Sequence, residues 1–308
     1  MRLVVTGAGG FLGRWVRRLA AERGDELWAL GRRPAAGALP GVRDLALELG
    51  EAAGLRRLRR LLDEARPDAL LHLAWYTRPR GYLGSPENLR SLEVAARVFE
   101  LAAAAGVPRL VGVGTGLEYA AADGLRREAD PCDPGCLYAA TKHAAHGLGR
   151  ALVRGTDSTF AWARLFHLFG PGEAPERLLP QVLAAFERGA PIALGPGTRR
   201  RDSLHVRDAA AALLAVADAG HSGPVNVCSG RSHTIRELLE CAGALAGRSA
   251  LLQFGALEAR SDGQPDAAGD PGLLRGLGWC PAFPDLRAGL GQTLTARGLL
   301  STHVPEVA

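Results

Sequence analysis

The feature that most constrains this chain is a glycine pattern a few residues from its start. Arg2-Leu3-Val4-Val5-Thr6 is a short β-branched run that leads directly into Gly7-Ala8-Gly9-Gly10-Phe11-Leu12-Gly13. Residues 11 to 23 then place apolar side chains at Phe11, Leu12, Trp15, Val16 and Leu19, the spacing of one helix face. A strand that turns through glycine into a helix presents free backbone N–H groups where a phosphate can sit. Gly7 permits the tight turn, Gly10 lets the backbone approach a pyrophosphate, and Gly13 lets the helix lie against the strand. The spacing is G-x-x-G-x-x-G; a G-x-G-x-x-G reading from Gly7 fails, because Leu12 holds its third glycine position. Glycine makes up 40 of 308 residues. The position of the cluster, between a strand and a helix, therefore carries the inference to a dinucleotide, with Phe11 and Leu12 in the same cradle.

The rest of the first half alternates in the same way. Strands are predicted at Glu26–Leu30, in the apolar run Ala69–Trp75, at Val107–Val113 and at Thr159–Phe166, and helices over Gly54–Ala65, Pro86–Ala105 and Tyr138–Arg154. Strands alternating with helices predict an α/β fold, a doubly wound parallel sheet of the Rossmann type with right-handed crossovers. After about Phe166 the texture becomes rich in turns. Residues 1–165 are therefore expected to form the dinucleotide-binding domain, and 166–308 a smaller α/β substrate-binding region. A segment near 200–220 reads as a helix returning to the first domain.

Composition removes several classes. The chain is 47% hydrophobic and 22% charged, which argues against disorder. No apolar run reaches the roughly 20 residues of a membrane span, and no secretory leader is visible, so a cytoplasmic enzyme is expected. The net charge is +5, yet the arginines are dispersed instead of clustered with aromatics, which argues against nucleic acid. Five scattered cysteines do not form a disulfide framework. Cys132 and Cys136 with His143 and His146 lack familiar zinc spacing, and no metal is expected. All but one of the 37 basic residues are arginine. The single lysine, Lys142, thus marks a place where a guanidinium would not serve and a compact ammonium is needed.

Taken together, Thr6–Gly13 (TGAGGFLG) and Tyr138–Lys142 (YAATK) resemble the extended short-chain dehydrogenase/reductase family, and the resemblance covers essentially the whole chain. His72–Trp75 (HLAW) resembles that family's segment beside the cofactor, implicating Leu73, Ala74 and Trp75. Arg164–Gly172, Arg200–Ala210 and Pro224–Gly230 resemble its nucleotide-sugar-modifying branch. The second strand ends at Gly31-Arg32-Arg33, where an NAD enzyme usually carries a carboxylate for the ribose. Two guanidiniums can instead hold a 2′-phosphate, so NADP(H) is preferred and NAD(H) remains possible; the alternative is that both are merely exposed loop residues. Glu48 and Leu49 match the family's acidic-aliphatic pair near the adenine.

Tyr138 and Lys142 are four apart and share a helix face. A phenol near pKa 10 needs a lowered pKa to exchange protons at neutral pH, and a nearby ammonium together with the oxidised nicotinamide would supply it. The resemblance implies that Thr115 is the third catalytic member, holding the substrate oxygen; a plain turn residue is the alternative. It also implies that Asn88 lies near the active site, with a helix N-cap role as the competing reading. Arg201 corresponds to a diphosphate-contacting arginine and His167 to a sugar- or phosphate-contacting position, against structural roles for each. Thr77 lies in a segment expected to line the sugar pocket. Related dehydratases carry an Asp-Glu pair just after the Thr115 position. Gly116 and Leu117 stand there, and Glu118, one place on, is expected to point elsewhere.

The leading expectation is NAD(P)H-dependent reduction of a keto group, at C4, on a nucleotide-diphosphate-linked deoxysugar. The competing enzyme is an NDP-sugar 4-epimerase with tightly held NAD. A redox-sensing binding module with the same fold is disfavoured by the Tyr-Lys pair. The resemblance further implies a homodimer through the 86–105 and 138–154 helices.

Overall fold

The computed structural model describes residues 1–34, 37–79, 81–122, 124–258 and 268–300. Seven strands form the central sheet: β1 (Arg2–Thr6), β2 (Glu26–Gly31), β3 (Val42–Ala46), β4 (Ala69–His72), β5 (Arg109–Thr115), β6 (Thr159–Leu165) and β7 (Gly223–Val227). Their order is β7-β6-β5-β4-β1-β2-β3, and every pairing is parallel. Because the side-chain period is two, β1 sends Leu3 and Val5 to one face and Val4 to the other. Both faces are covered by helices, as a parallel sheet requires. On one side α1 (Phe11–Glu22) packs against α6 (Val206–Ala219). On the other lie α2 (Ala52–Ala65), α3 (Glu87–Ala104) and α4 (Leu137–Leu152).

The second region carries its own core, formed by Phe169, Val182, Phe186, Leu239, Leu290 and Leu294 from α5 (Leu178–Arg188), α7 (Ile235–Ala246), α9 (Leu286–Thr295) and neighbouring loops. A short helix, α8 (Gly272–Gly276), precedes α9. Three short strands, His167–Phe169, Arg200–His205 and Ser232–Thr234, form a small sheet at the C-terminal end of the main one. The chain between 206 and 227 packs into the first region: α6 lies on α1 and β7 extends the main sheet, so the return continues past residue 220.

Two details differ from the sequence reading. The edge strand β3 was not expected, because it is half-exposed and its sequence, VRDLA, carries no strong apolar run. The run Ala69–Trp75 is strand only to His72. Beyond it the chain leaves the sheet, which brings Leu73–Trp75 against the glycine loop.

Candidate active site

The sheet winds outward in opposite directions from β1 and β4, which places a crevice at the C-terminal ends of these strands. A cavity of about 1260 Å³ opens there. Gly7 has φ +71°, and a Cβ on it would lie 2.7 Å from the Ala74 nitrogen. A Cβ on Gly13 would lie 2.2 Å from the Gly7 carbonyl oxygen. Both positions therefore demand glycine, one for its dihedral angle and both for space. Gly10 caps α1 with no side-chain hydrogen bond, so the first-turn N–H groups face the cavity uncapped. This cradle fits a dinucleotide diphosphate.

Gly7, Gly10, Phe11, Leu12, Gly13, Arg32, Arg33, Glu48, Leu49, Leu73, Ala74 and Trp75 all line the cavity. Arg32 and Arg33 are exposed at the end of β2, and the exposed Glu48 carboxylate accepts from the Gly50 N–H. Thr77, Thr115, Tyr138, Lys142, His167 and Arg201 line it too. Thr77 and His167 are exposed, whereas Arg201 is buried and donates to the Arg200 carbonyl.

Asn88 corrects the sequence reading twice. It does not line the cavity, and it is not the N-cap of α3, which is Pro86. Its fully buried amide donates to the carbonyls of Tyr82 and Ser85 and accepts from Trp75 Nε1. Asn88 thereby ties down the loop from which Leu83 O accepts the Tyr138 N–H and Tyr82 packs edge-on against the Tyr138 ring. It also holds the indole over which Lys142 Nζ sits at 3.8 Å.

The expected electrostatics of the Tyr-Lys pair are also revised. Lys142 Nζ donates to the Val113 carbonyl at 2.7 Å and lies 5.8 Å from the Tyr138 ring centre. Burial pulls the Lys142 ammonium down to about 7, while Glu118 pulls it back up. Burial, helped by Tyr82 and Glu118, pushes the Tyr138 phenol up, and Arg177 opposes that shift. Desolvation thus outweighs the ammonium, which shares a helix face with the phenol without bonding to it.

Thr115 ends β5 and opens a three-residue turn, Gly116–Glu118. Its Oγ1 accepts the Leu117 N–H, and its own N–H donates to Glu118 Oε1 at 2.8 Å. Its Oγ1 accepts from the turn and still carries a proton to donate. Gly116 and Leu117 also line the cavity, while Glu118 is fully buried behind the sheet. Burial opposes its ionisation, but His143, Arg164, Thr115 and Trp162 together hold its carboxyl below the usual range.

His143 and His146 also gather around Glu118, with one ligand atom from each of the three residues within 4.8 Å of the others. Both carboxylate oxygens of Glu118 already take N–H donors from Thr115, Trp162 and Arg164. A guanidinium in contact with the carboxylate opposes a second cation, so the group does not fit a metal centre. Cys132 is not part of it: its sulfur accepts from Arg164 Nη2 at 3.2 Å.

Sequence reasoning missed Glu173 and Arg177, which line the cavity. Glu173 Oε2 is buried with no hydrogen-bond partner among the described residues. Burial pushes this carboxyl up to about 7 against the pull of Arg177. The only local signal is an acid and an arginine in the turn that follows Phe169.

A glycine cradle at the switch point of a parallel sheet, with a Tyr-x-x-x-Lys helix across the cavity, defines a short-chain dehydrogenase/reductase architecture. The chain belongs to the NAD dependent epimerase/dehydratase family, whose profile matches residues 3–228. It is 32% identical over 255 residues to dTDP-6-deoxy-L-talose 4-dehydrogenase (NAD(P)(+)) of Kitasatospora kifunensis, covering 78% of this chain and 77% of that one. It is 28% identical to dTDP-glucose 4,6-dehydratase of Streptomyces griseus, covering 95% and 92%. Among solved structures it is similar to MoeE5 in complex with UDP-glucose and NAD, with TM-score 0.84, 28% identity and coverage of 97% and 100%. Among the described residues, no helix is long and apolar enough to cross a membrane.

Proposed function

We propose that the protein reduces a keto group, at C4, of a nucleotide-diphosphate-linked deoxysugar, with NADPH preferred over NADH. The observation that carries this reading is that Thr115, Tyr138 and Lys142 all line the same cavity, with no carboxylate at Gly116 or Leu117. Water elimination needs an acid and a base at the sugar, and those two positions supply neither. The likeness to a talose 4-dehydrogenase supports redox chemistry at C4. Arg32 and Arg33, with no acid beside them, support a 2′-phosphate.

The nicotinamide supplies the hydride. Thr115 donates a hydrogen bond to the substrate oxygen, and Tyr138 transfers to that oxygen the one proton that completes the alcohol. Burial keeps the Tyr138 phenol protonated until negative charge develops on the substrate oxygen and draws the proton off. The Val113 carbonyl and the Trp75 indole anchor Lys142 beside the site. Arg201, with Arg177 as a second guanidinium lining the cavity, holds the diphosphate, and His167 and Thr77 serve the sugar. The same reading expects a cytoplasmic homodimer joined through α3 and α4, where Leu89 and Leu148 are exposed.

The test is NADPH and NADH oxidation by purified protein against a panel of 4-keto-6-deoxy dTDP- and UDP-sugars. Turnover with NADPH favoured is the expected result. An enzyme that retains NAD through purification and interconverts C4 epimers without consuming cofactor would show that the site is an epimerase.

A further inference from the structure

Glu118 takes no part in the steps above, yet both of its carboxylate oxygens are bonded next to Thr115. Its side chain is wholly buried. Oε1 accepts from the Thr115 N–H at 2.8 Å and from Trp162 Nε1 at 2.9 Å. Oε2 accepts from Trp162 Nε1 at 3.1 Å and from Arg164 Nε at 3.3 Å, and it faces His143 Nδ1 at 3.5 Å. Arg164 is itself held by the Glu128 carbonyl and by Cys132 Sγ.

β5 is built to admit this group. A Cβ on Gly114 would lie 2.4 Å from Glu118 Oε1 and 2.3 Å from Trp162 Nε1, and one on Gly112 would lie 2.5 Å from the Trp162 ring. The glycines that interrupt Val-Gly-Val-Gly-Thr thus clear a slot for the indole and the carboxylate. Burying an ion costs several kcal/mol unless it is fully paired, and a three-residue turn can be capped without one.

We infer that Glu118 is a positioning residue: it clamps the backbone N–H of Thr115 from behind β5, so that the Thr115 hydroxyl is held with its proton toward the substrate oxygen. The clamp is reciprocal. The Glu118 carboxylate fixes the start of the turn, and the Leu117 N–H bonded to Oγ1 fixes the rotation of the hydroxyl. Trp162, Arg164 and His143 hold the carboxylate on three sides. This inference rests on the reading in which Thr115 meets the substrate oxygen.

The test is a double-mutant cycle with Glu118→Gln, Thr115→Ala and the combined variant, assayed as NADPH oxidation with a dTDP-linked 4-keto-6-deoxy sugar. Direct titration of NADPH affinity by fluorescence accompanies it. Glu118→Gln is expected to lower kcat by about 10- to 100-fold, the scale of a misplaced reacting group, with KM and NADPH affinity nearly unchanged. In the Thr115→Ala background the same substitution is expected to change kcat by less than about twofold, because the group it positions is gone. If Glu118→Gln is too unstable to purify, Glu118→Gln/Arg164→Met removes both buried charges and is read in the same two backgrounds. Equal losses with and without Thr115, or a parallel loss of NADPH affinity, would overturn the inference alone. A wild-type protein inactive on every such sugar would overturn the keto-reduction reading and this inference with it.

Discussion

Tyr138 and Lys142 are both driven toward their neutral forms by the low-dielectric pocket they share. That suits a proton donor. Replacing Tyr138 with Phe is expected to lower kcat by about 10²- to 10⁴-fold, the range for removing a general acid, and to leave NADPH binding in place; stopped-flow measurement of cofactor oxidation separates the two. Glu173 gives a test without substrate. Its carboxyl ionises at about 7 in the folded protein and near 4.5 when unfolded. The folded state therefore holds its proton longer, and stability falls as pH rises from 4.5 through 7. Glu173→Gln removes that penalty: its Tm is expected to match the wild type at pH 4.5 and to exceed it at pH 8, and thermal scans across this window check the sign. Tyr138, Lys142 and Thr115 were legible in the sequence because short local motifs carry them. The role of Glu118 was not, because its partners Trp162 and Arg164 lie on β6, more than forty residues away, and no local spacing encodes that meeting.

Among the elements, the β1 loop with α1 was fully readable, since glycine at each close approach is a steric demand written locally. Gly13→Ala would press its methyl onto the Gly7 carbonyl, backbone against side chain with no rotamer to yield. A loss of about 1–3 kcal/mol in chemical denaturation is expected, with weaker NADPH binding measured by fluorescence titration. The buried strands β4, β5 and β6 were equally plain from their apolar runs. β3 was hidden because an edge strand is covered on fewer sides and can use polar residues: Asp44 pairs with Arg17 of α1, and Arg43 lies over the Trp28 ring. The end of β4 was overextended for the opposite reason. Leu73–Trp75 are apolar because they wall the cavity, not because they continue the strand.

At the scale of the whole molecule, a buried acid ties together loops distant in sequence. Asp202, in the small sheet, accepts from the Ser229 N–H and hydroxyl and from the N–H groups of Gly230 and Gly269. Asp202→Ala takes the acceptor from the buried Gly269 N–H and from the part-buried N–H groups of Ser229 and Gly230, and is expected to cost about 3 kcal/mol in urea unfolding. The interleaving of the regions was visible only in outline, because membership of β7 in the main sheet is decided by pairing with β6 across many intervening residues. The near-exclusive use of arginine also leaves two amines that formaldehyde and borohydride can methylate: the α-amino group of Met1, tied to Asp25, and Lys142, which lines the cavity. Isotopic dimethylation would therefore yield a two-line carbon spectrum. The lysine line is expected to titrate near pH 7 and to shift when nucleotide is added, turning a compositional accident into a private reporter of the reaction centre; a midpoint near 10.5 would show that solvent reaches the ammonium freely.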